Sequence, residues 1–253
     1  MRKLLDQKNK LLKFCTFYKI KAKFLKLLKS YLRQKRLNSI ISKIVHYKVK
    51  INNIYDVGAF KGEWTNQLYK NSLKNKNFFL FEANIENEEY LSKYNHKYFI
   101  EILSNKRKKV KFYSLANTGD SYYLEQTSIY KKIKPEKKIT STLDIIQKKN
   151  KLPYPDFLKI DTQGSEIDIL KGGKKILKRC KVILLECPII SYNKGAPNLN
   201  EYVNYLNLIG FLPFEVGEIH HINNVFVQID IFFLKKEILK KINNKKILKI
   251  FNK

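Results

Sequence analysis

The stretch IYDVGAFKGEWT, residues 54–65, combines one acid with two glycines at the end of a short apolar run. Its β-branched and aromatic residues are typical of a strand, and Asp56 stands where that run stops. Gly58 and Gly62 allow a tight backbone turn and the close approach of a ligand, and the helix that follows directs its N-terminal amides towards that turn. The pattern predicts a ligand-binding turn between a strand and a helix, although such turns also occur without a ligand.

A second acid, Glu82, ends the next apolar run, FFLFEAN, 20 residues after Gly62. An acid at this spacing, on the second strand, is placed to accept hydrogen bonds from ribose hydroxyls. Together, the turn and Glu82 indicate a cofactor that contains a nucleoside.

The form of the turn narrows the choice of nucleoside. It lacks the close-set glycines of G-x-G-x-x-G that hold a pyrophosphate, and no Lys-Ser/Thr pair follows as in a phosphate-binding loop. These absences disfavour NAD and ATP. S-adenosylmethionine has a ribose and an amino acid but no phosphate, and its ammonium suits an acid at the end of the first strand. The residues therefore favour S-adenosylmethionine.

Strand-like and helix-like segments alternate from residue 51 onwards. Apolar runs cover 54–60, 78–83, 98–103, 110–115, 157–160, 182–187 and 226–234. Helical patterns cover 63–74, 85–94, 140–149, 165–179 and 199–209. This alternation is typical of a mostly parallel central sheet with helices on both faces. Such sheets bind ligands at the carboxyl ends of their strands, where Asp56, Glu82, Asp161 and Glu186 all fall.

Seven segments follow the order found in the FkbM-type family of S-adenosylmethionine-dependent methyltransferases: DVGAFKGEWT, FLFEAN, ILSNKRKKVKFY, STLDII, FLKIDTQGSEIDILKGG, VILLECP and VQIDIFF. The chain resembles this family over about residues 51–236, most specifically in LKIDTQGSEIDILKG. The resemblance implies a Rossmann-like class I methyltransferase fold. It also implies an O-methyltransferase, and we expect the acceptor to be a hydroxyl of a sugar in a glycan or glycolipid.

Phe60 departs from the family, whose members usually carry Asn two residues after the first glycine. The change predicts an altered turn and the loss of one polar contact to the cofactor. Residues 1–50 lie outside the resemblance.

The resemblance also implies which residues hold S-adenosylmethionine. Asp56 and Gly58 are expected at the methionine moiety and Glu82 at the ribose, while Leu103 and Ser104 border the adenine. A plain core role for Leu103 is an equal alternative. The full expected set is Asp56, Gly58, Phe60, Gly62, Thr65, Glu82, Ala83, Asn84, Leu103, Ser104 and Asp161.

Asp161 follows the FLKI run and would lie over the methyl-transfer position of this fold. A sugar hydroxyl becomes a better nucleophile as it loses its proton, so a carboxylate in reach can act as base. Binding the cofactor or holding the loop is the alternative role. Lys159 faces the same side of its strand, and Glu186 and His220 are candidates at the acceptor. These four residues form the expected catalytic set, and no metal ion is expected, because none of the residues has metal-ligand spacing.

The net charge of +29 is concentrated at the two ends of the chain, since residues 1–50 carry +15 and residues 235–253 carry +7. Only 5 of the 51 basic residues are Arg, which disfavours nucleic acid as a partner, because Arg recognises phosphates and base edges bidentately. An AT-rich genome would also produce this bias towards Lys. Residues 4–46 predict a basic helix with a rough apolar stripe, either packed on the main domain or lying on an anionic membrane.

Three parts are therefore expected: a basic amphipathic helical extension (1–50), a methyltransferase domain (51–236) and a basic C-terminal tail (237–253). The three cysteines form no disulfide or metal framework, and no uncharged stretch reaches the ~18 residues of a membrane span. We expect a cytoplasmic protein that contacts the inner face of the membrane through its basic ends. The sequence leaves the oligomeric state open.

Two other functions agree less well with the sequence than an S-adenosylmethionine-dependent methyltransferase does. A catalytically silent methyltransferase fold could act as a binding module on a membrane or on RNA, but the presence of Asp56, Gly58, Glu82 and Asp161 argues against it. A dehydrogenase is disfavoured because the close-set glycines are missing.

Overall fold

The computed structural model describes residues 2–114, 119–126 and 133–242. The helices are α1 (Arg2–His46), α2 (Glu63–Asn71), α3 (Glu88–Leu91), α4 (Leu143–Lys149), α5 (Glu166–Lys171), α6 (Lys174–Arg179) and α7 (Leu199–Leu208). The strands are β1 (Asn53–Val57), β2 (Asn77–Glu82), β3 (Lys97–Ile100), β4 (Ile102–Leu103), β5 (Lys109–Phe112), β6 (Glu136–Ser141), β7 (Phe157–Ile160), β8 (Val182–Pro188), β9 (Phe211–Ile222) and β10 (Val225–Lys235). Residue 115, which ends one predicted strand, and residues 243–253 of the expected tail lie outside the described residues.

A seven-stranded sheet in the order β3-β2-β1-β7-β8-β10-β9 forms the centre of the fold. Strands β3, β2, β1, β7 and β8 are parallel neighbours, and β10 runs antiparallel to both β8 and β9. The chain order reverses between β1 and β7, so the carboxyl ends of these strands form a topological switch point. The predicted Rossmann-like class I methyltransferase fold, with its mostly parallel central sheet, is confirmed.

Helices cover both faces of the sheet, so successive side chains along each strand point alternately into two buried cores. On one face, Tyr55 and Val57 of β1 pack with residues of α4, α5, α6 and α7. On the other face, Ile54 packs with residues of α1, α2 and α3. Because both sets of side chains are buried, the strands appear in the sequence as nearly continuous apolar runs.

The two parts of α1 have different surroundings. Near its C-terminal end, Ile40, Ile41 and Ile44 are buried in the core of the domain. Large apolar side chains are exposed further towards its N-terminus: Phe24, Leu25, Leu27, Leu28, Tyr31 and Leu32. The predicted basic helical extension is present as α1. No helix in the described ranges is long and apolar enough to cross a membrane.

Part of the positive charge of α1 binds the domain itself. Three of its basic residues contact strand β9: Arg33 pairs with Glu218 at 2.5 Å, Arg36 donates to the carbonyl oxygen of Val216 at 2.6 Å, and Lys43 pairs with Glu215. These contacts and the buried isoleucines fix the C-terminal part of α1 to the sheet.

Two elements are divided more finely than the sequence predicted. The expected helix 165–179 is interrupted at Gly172, where a Cβ would lie 2.2 Å from the carbonyl oxygen of Ser104. The expected strand 98–103 is interrupted at Glu101, because β3 pairs with β2 whereas β4 pairs with β6 of a second, three-stranded sheet. Both interruptions lie next to the residues that surround the site.

Candidate functional site

The carboxyl ends of β1, β2, β4 and β7 border a pocket at the switch point. Apolar side chains form part of its wall: Val57, Phe60, Phe81, Ile102, Leu103, Phe112 and Ile169. The pocket brings together six of the residues expected to hold the cofactor: Gly58, Phe60, Glu82, Ala83, Leu103 and Asp161.

Gly58 makes the tightest backbone approach at this pocket. Its φ of 72° is left-handed, and a Cβ at this position would lie 1.8 Å from the carbonyl oxygen of Asp161. The amides of Gly58 and Ala59 donate to the carbonyl oxygen of Phe81 at 2.9 and 3.1 Å. Glycine is therefore required for the ends of β1, β2 and β7 to meet around the pocket.

Glu82 fixes two backbone turns beside the pocket. Its Oε2 accepts the amide of Phe60 at 2.7 Å, and its Oε1 accepts the amide of Asn84 at 2.9 Å and the side-chain amide of Asn87 at 3.3 Å. Burial raises the pKa of Glu82, against the opposing effect of the amides of Asn84 and Phe60. Because Oε2 receives one donor, it keeps a lone pair that can accept a ribose hydroxyl.

Asp56 is fully buried and does not line the pocket. Its Oδ2 accepts the hydroxyl of Thr65 at 2.7 Å, and its Oδ1 lies 3.0 Å from the ammonium of Lys159. That ammonium also donates to the carbonyl oxygen of Gly58 at 3.0 Å. Asp56 and Lys159 are register partners on β1 and β7, so their ion pair joins the two strands directly under the glycine turn. Asp56 therefore does not reach the pocket directly and lies behind the glycine turn expected to hold the methionine moiety.

Lys159 is a buried cation rather than a surface lysine. Burial acts to lower its pKa, but the carboxylates of Asp56 and Asp161 outweigh that effect, and the pKa is raised. The ammonium lies 3.5 Å from Oδ2 of Asp161. Lys159 therefore stays protonated and serves to hold two carboxylates and a backbone carbonyl in place, not to accept a proton.

Asp161 is the accessible carboxylate of this group, with its side chain 38% exposed. It lines the pocket, and its Oδ1 lies 3.4 Å from the side-chain amide nitrogen of Gln163. One oxygen of Asp161 thus faces Lys159 and the other faces Gln163. Asp161 therefore presents a carboxylate to the pocket.

Glu166 organises the loop that carries Gln163. It is fully buried, its Oε1 accepts the amide of Thr162 at 2.9 Å, and its Oε2 accepts the amide of Gly164 at 3.0 Å and the hydroxyl of Tyr202. Burial raises the pKa of Glu166, against the opposing effect of these donors. The carboxylate thus turns back over the loop that precedes α5.

A polar network lies beyond Asp161, away from Glu82. The amides of Gln163 and Gln228 both donate to Oε2 of Glu186 at 2.8 Å. The hydroxyl of Tyr192 donates to Oε1 of Gln163 at 2.8 Å. Burial raises the pKa of Glu186, and the nearby carboxylates of Asp161 and Asp230 add to the rise.

His220 lies at the far side of this network. Its Nε2 is 3.9 Å from Oε1 of Glu186 and 3.4 Å from Oδ1 of Asp230. Burial acts to lower the pKa of His220, but the Asp230 carboxylate reverses the shift and the pKa is raised. The structure therefore brings His220 next to Glu186, and the side-chain nitrogen of Gln163 links Glu186 to Asp161.

The other expected cofactor residues surround the pocket without lining it: Asp56, Gly62, Thr65, Asn84 and Ser104. Asn84 donates to Asp120 at 2.9 Å, and the hydroxyl of Ser104 lies 3.1 Å from that of Tyr122. Asp120 and Tyr122 do line the pocket and were missed in the sequence, because the segment that carries them has no periodic pattern. Its acid and paired tyrosines, GDSYY, were the available signal.

The charge of the pocket contrasts with that of the protein. Among the described residues that line it there is no Lys or Arg, and there are four acids, Glu82, Glu101, Asp120 and Asp161, although the net charge of the chain is +29. A pocket of this kind disfavours phosphates and suits a ligand with cationic groups. The apolar wall can hold an adenine, Glu82 can accept the ribose hydroxyls, and the acids suit an ammonium and a sulfonium. The residues present fit S-adenosylmethionine.

Comparison with solved structures finds several methyltransferases with low sequence identity. The chain is similar to the methyltransferase FkbM from Methylobacillus flagellatus KT, with 16% identity and a TM-score of 0.46, over 72% of this chain and 43% of that one. It is similar to an S-adenosylmethionine-dependent methyltransferase from Clostridium acetobutylicum ATCC 824, with 11% identity and a TM-score of 0.46, over 79% and 91% of the two chains. A third is magnesium protoporphyrin IX methyltransferase from Synechocystis PCC 6803 with bound SAM, with 8% identity and a TM-score of 0.45, over 80% and 79%. The chain thus spans less than half the length of the first of these proteins.

A comparison with curated protein sequences finds no match. The family model of the methyltransferase FkbM domain, in contrast, matches residues 56–244, which is most of the chain and includes every residue of the pocket described above. The pocket therefore lies within a matched family domain, and its residues fit S-adenosylmethionine as the cofactor. The chain belongs to the FkbM methyltransferase family.

Proposed function

We propose that this methyltransferase modifies a hydroxyl of a sugar in a glycan or glycolipid. When bound, S-adenosylmethionine supplies an electrophilic methyl group on a sulfonium. The observation that carries the proposal is the state of Asp161, a 38% exposed carboxylate that lines the pocket and faces a protein donor on each of its oxygens. A hydroxyl needs such a base, because it becomes a strong nucleophile only as its proton is removed.

The neighbours of Asp161 support this role. Lys159 faces Oδ2 at 3.5 Å and Gln163 faces Oδ1 at 3.4 Å, so the carboxylate is oriented before an acceptor arrives. Lys159 is itself held by Asp56, which leaves Asp161 as the member of the group that is free to take a proton. Orientation of this kind contributes to the rate because the reacting groups need not be ordered during the reaction.

The polar network beside Asp161 supports a sugar as acceptor. Gln163, Tyr192, Gln228 and Glu186 present amide, phenol and carboxylate groups that both donate and accept hydrogen bonds. A sugar offers several hydroxyls with the same dual capacity. These groups already bond to one another, and a sugar hydroxyl can use the donor and acceptor capacity that the internal bonds leave open.

The test compares wild-type protein with Asp161→Asn on a panel of glycosides, oligosaccharides and glycolipids. We expect release of S-adenosylhomocysteine together with a gain of one methylene in mass on a hydroxyl of the acceptor. Asp161→Asn should lower turnover by ~10²–10⁴, the usual contribution of a general base. Its affinity for S-adenosylhomocysteine should be unchanged, and the matched control Glu89→Gln, at a carboxylate 78% exposed, should behave as wild type. Transfer to nitrogen, or an equal loss of affinity for S-adenosylhomocysteine, would contradict the role of Asp161 as base.

We also propose that the basic extension brings the enzyme to an anionic membrane surface on its cytoplasmic side, where a glycolipid acceptor would be presented. Residues 1–50 carry +15, and large apolar side chains between Phe24 and Leu32 are exposed. Basic and apolar groups together are the combination that binds such surfaces. The low share of Arg makes nucleic acid the weaker candidate.

A further inference from the structure

Three side chains outside the cofactor pocket converge on one point. Glu186, His220 and Asp230 each offer one ligand atom, and these atoms lie within 4.8 Å of one another. Nε2 of His220 is 3.4 Å from Oδ1 of Asp230 and 3.9 Å from Oε1 of Glu186. Two atoms that each lie at about 2.0–2.3 Å from one metal ion are typically ~3–4 Å apart, and both distances from the histidine nitrogen fall in this range.

The register of the sheet forces two of these charges together. Glu186 on β8 and Asp230 on β10 are directly opposite one another in the antiparallel pair. Like charges in this position destabilise a sheet. Among the ion pairs of the described residues, those that reach either carboxylate come from His220 alone. A cation bound between the two carboxylates would relieve this repulsion.

The nitrogen of His220 gives a second, independent observation. Nε2 is shielded from solvent and makes no correctly oriented hydrogen bond to the described residues. Buried polar atoms normally have a partner, and a neutral imidazole nitrogen is the commonest metal ligand in proteins.

The surroundings of Glu186 agree with this geometry. Gln163 and Gln228 both donate to its Oε2, which fixes the carboxylate and leaves Oε1 directed at His220 and Asp230. Outer hydrogen bonds of this kind orient metal-binding carboxylates.

We propose that Glu186, His220 and Asp230 bind one divalent transition-metal ion, of the type of Mn²⁺ or Zn²⁺, through Oε1, Nε2 and Oδ1. A histidine beside two carboxylates favours such an ion over Mg²⁺ and Ca²⁺, which prefer oxygen ligands throughout. Three protein ligands leave coordination positions open. Gln163 contacts both Glu186 and Asp161, so an acceptor that reaches Asp161 would lie close to this ion and could supply further oxygen ligands.

No metal ion was expected from the sequence, and the reason is the long-range origin of the cluster. The three residues are separated by 34 and 10 positions, and they meet only because β10 inserts between β8 and β9. The role at the acceptor rests on the proposed hydroxyl methylation, whereas metal binding itself does not.

The test titrates chelator-treated full-length protein with MnCl₂, followed by calorimetry, without cofactor or acceptor. We expect one Mn²⁺ per chain, and at least ~10-fold weaker binding for Asp230→Asn and for His220→Gln. His221→Ala is the matched control, because His221 is the next residue of β9 and its exposed ring packs on Phe226 instead. This control should bind Mn²⁺ as wild type does.

Thermal melting shows whether the variants are folded. Mn²⁺ should raise the melting temperature of wild type and His221→Ala but not of Asp230→Asn, because an ion that binds only the folded state stabilises it. No stoichiometric Mn²⁺ binding, equal binding by Asp230→Asn, or tighter binding of Mg²⁺ than of Mn²⁺ would overturn the proposal. Metal binding without any hydroxyl methylation would instead count against the proposed function alone.

Discussion

Phe60 occupies a left-handed backbone conformation, with a φ of 49°. This conformation costs a residue with an ordinary side chain about 1–2 kcal/mol, and Asn tolerates it better than most. The amide of Phe60 donates to Oε2 of Glu82 at 2.7 Å, so the strained turn is held by the carboxylate assigned to the ribose. The Phe60 side chain lines the pocket, where its ring replaces the polar group expected from the resemblance.

Changing Phe60 to Asn should separate the strain of the turn from the loss of the ring. We expect Phe60→Asn to have a free energy of unfolding about 1 kcal/mol higher than Phe60→Ala, because both variants lose the ring but only Asn suits the left-handed conformation. Urea denaturation measures the difference, and titration with S-adenosylhomocysteine shows whether the amide also contributes to binding. Equal stability of the two variants would mean that the turn at Phe60 stores no strain.

The loop between β7 and α5 connects the cofactor pocket to the polar network around Glu186. Thr162 lines the cofactor pocket, while Gln163, with a left-handed φ of 56°, reaches Asp161 and Glu186. Glu166 accepts hydrogen bonds from the loop amides on either side of Gln163 and from Tyr202 of α7. The loop is therefore shaped by a buried carboxylate rather than by contacts of its own side chains with solvent.

Glu166→Gln should destabilise the protein by about 2–4 kcal/mol, because the new amide group would face donors and leave buried N–H groups without acceptors. Urea denaturation measures this loss. Lys171→Gln, an exposed position of the same helix, is the matched control and should have little effect. The double variant Glu166→Gln/Tyr202→Phe should lose less stability than the sum of its single changes, because the same contact is broken in both. Additive losses would show that Glu166 and Tyr202 act independently.

The elements that were predictable are those whose signal is local. Apolar runs such as VILLE gave the parallel strands, and their carboxyl ends gave the positions of Glu82 and Asp161. Strand β9 was missed because Pro213 and Gly217 within it are typical of turns. Positions on its partner β10 depend on register shifts, which no local pattern contains.

The partners of the buried charges in the site could not be predicted either, because they too depend on strand pairing. Lys159 in a strand cannot be told from a surface lysine until β1 brings Asp56 beside it. His220 and Asp230 likewise become neighbours only through strand pairing. The sequence thus predicted the edge of the sheet where the chemistry lies, but not which charges would meet there.

Across the whole molecule, positive charge is concentrated at the ends of the chain and acidic residues are concentrated in the site. The pocket and the polar network contain acids, while the ends of the chain hold +22 of the net +29. The basic extension is divided again, since Arg33, Arg36 and Lys43 bind β9, whereas the large apolar side chains between Phe24 and Leu32 are exposed. These two parts of α1 can therefore be tested separately by truncation.

Removal of residues 1–32 should abolish membrane contact and leave the domain intact. This cut removes ten basic residues and Asp6, together with all the exposed apolar side chains of α1 between Phe24 and Leu32, but keeps Arg33 and the buried isoleucines. Each basic residue near an anionic surface contributes about 1 kcal/mol, and the attraction falls with salt. Full-length protein should therefore sediment with anionic vesicles at low salt and be released at high salt, while the truncated protein should not sediment.

Two controls separate this prediction from a structural role of the helix. The truncated protein should keep its melting temperature and its affinity for S-adenosylhomocysteine, whereas removal of residues 1–45 should lower the melting temperature, because it also deletes the buried Ile40, Ile41 and Ile44. Full-length protein with Phe24→Ser, Leu27→Ser and Tyr31→Ser keeps its charge but loses exposed apolar surface, so it should sediment more weakly than wild type at the same salt concentration. If full-length protein ignores anionic vesicles, or if removal of residues 1–32 alone lowers the melting temperature, the exposed part of α1 serves the domain and not a membrane.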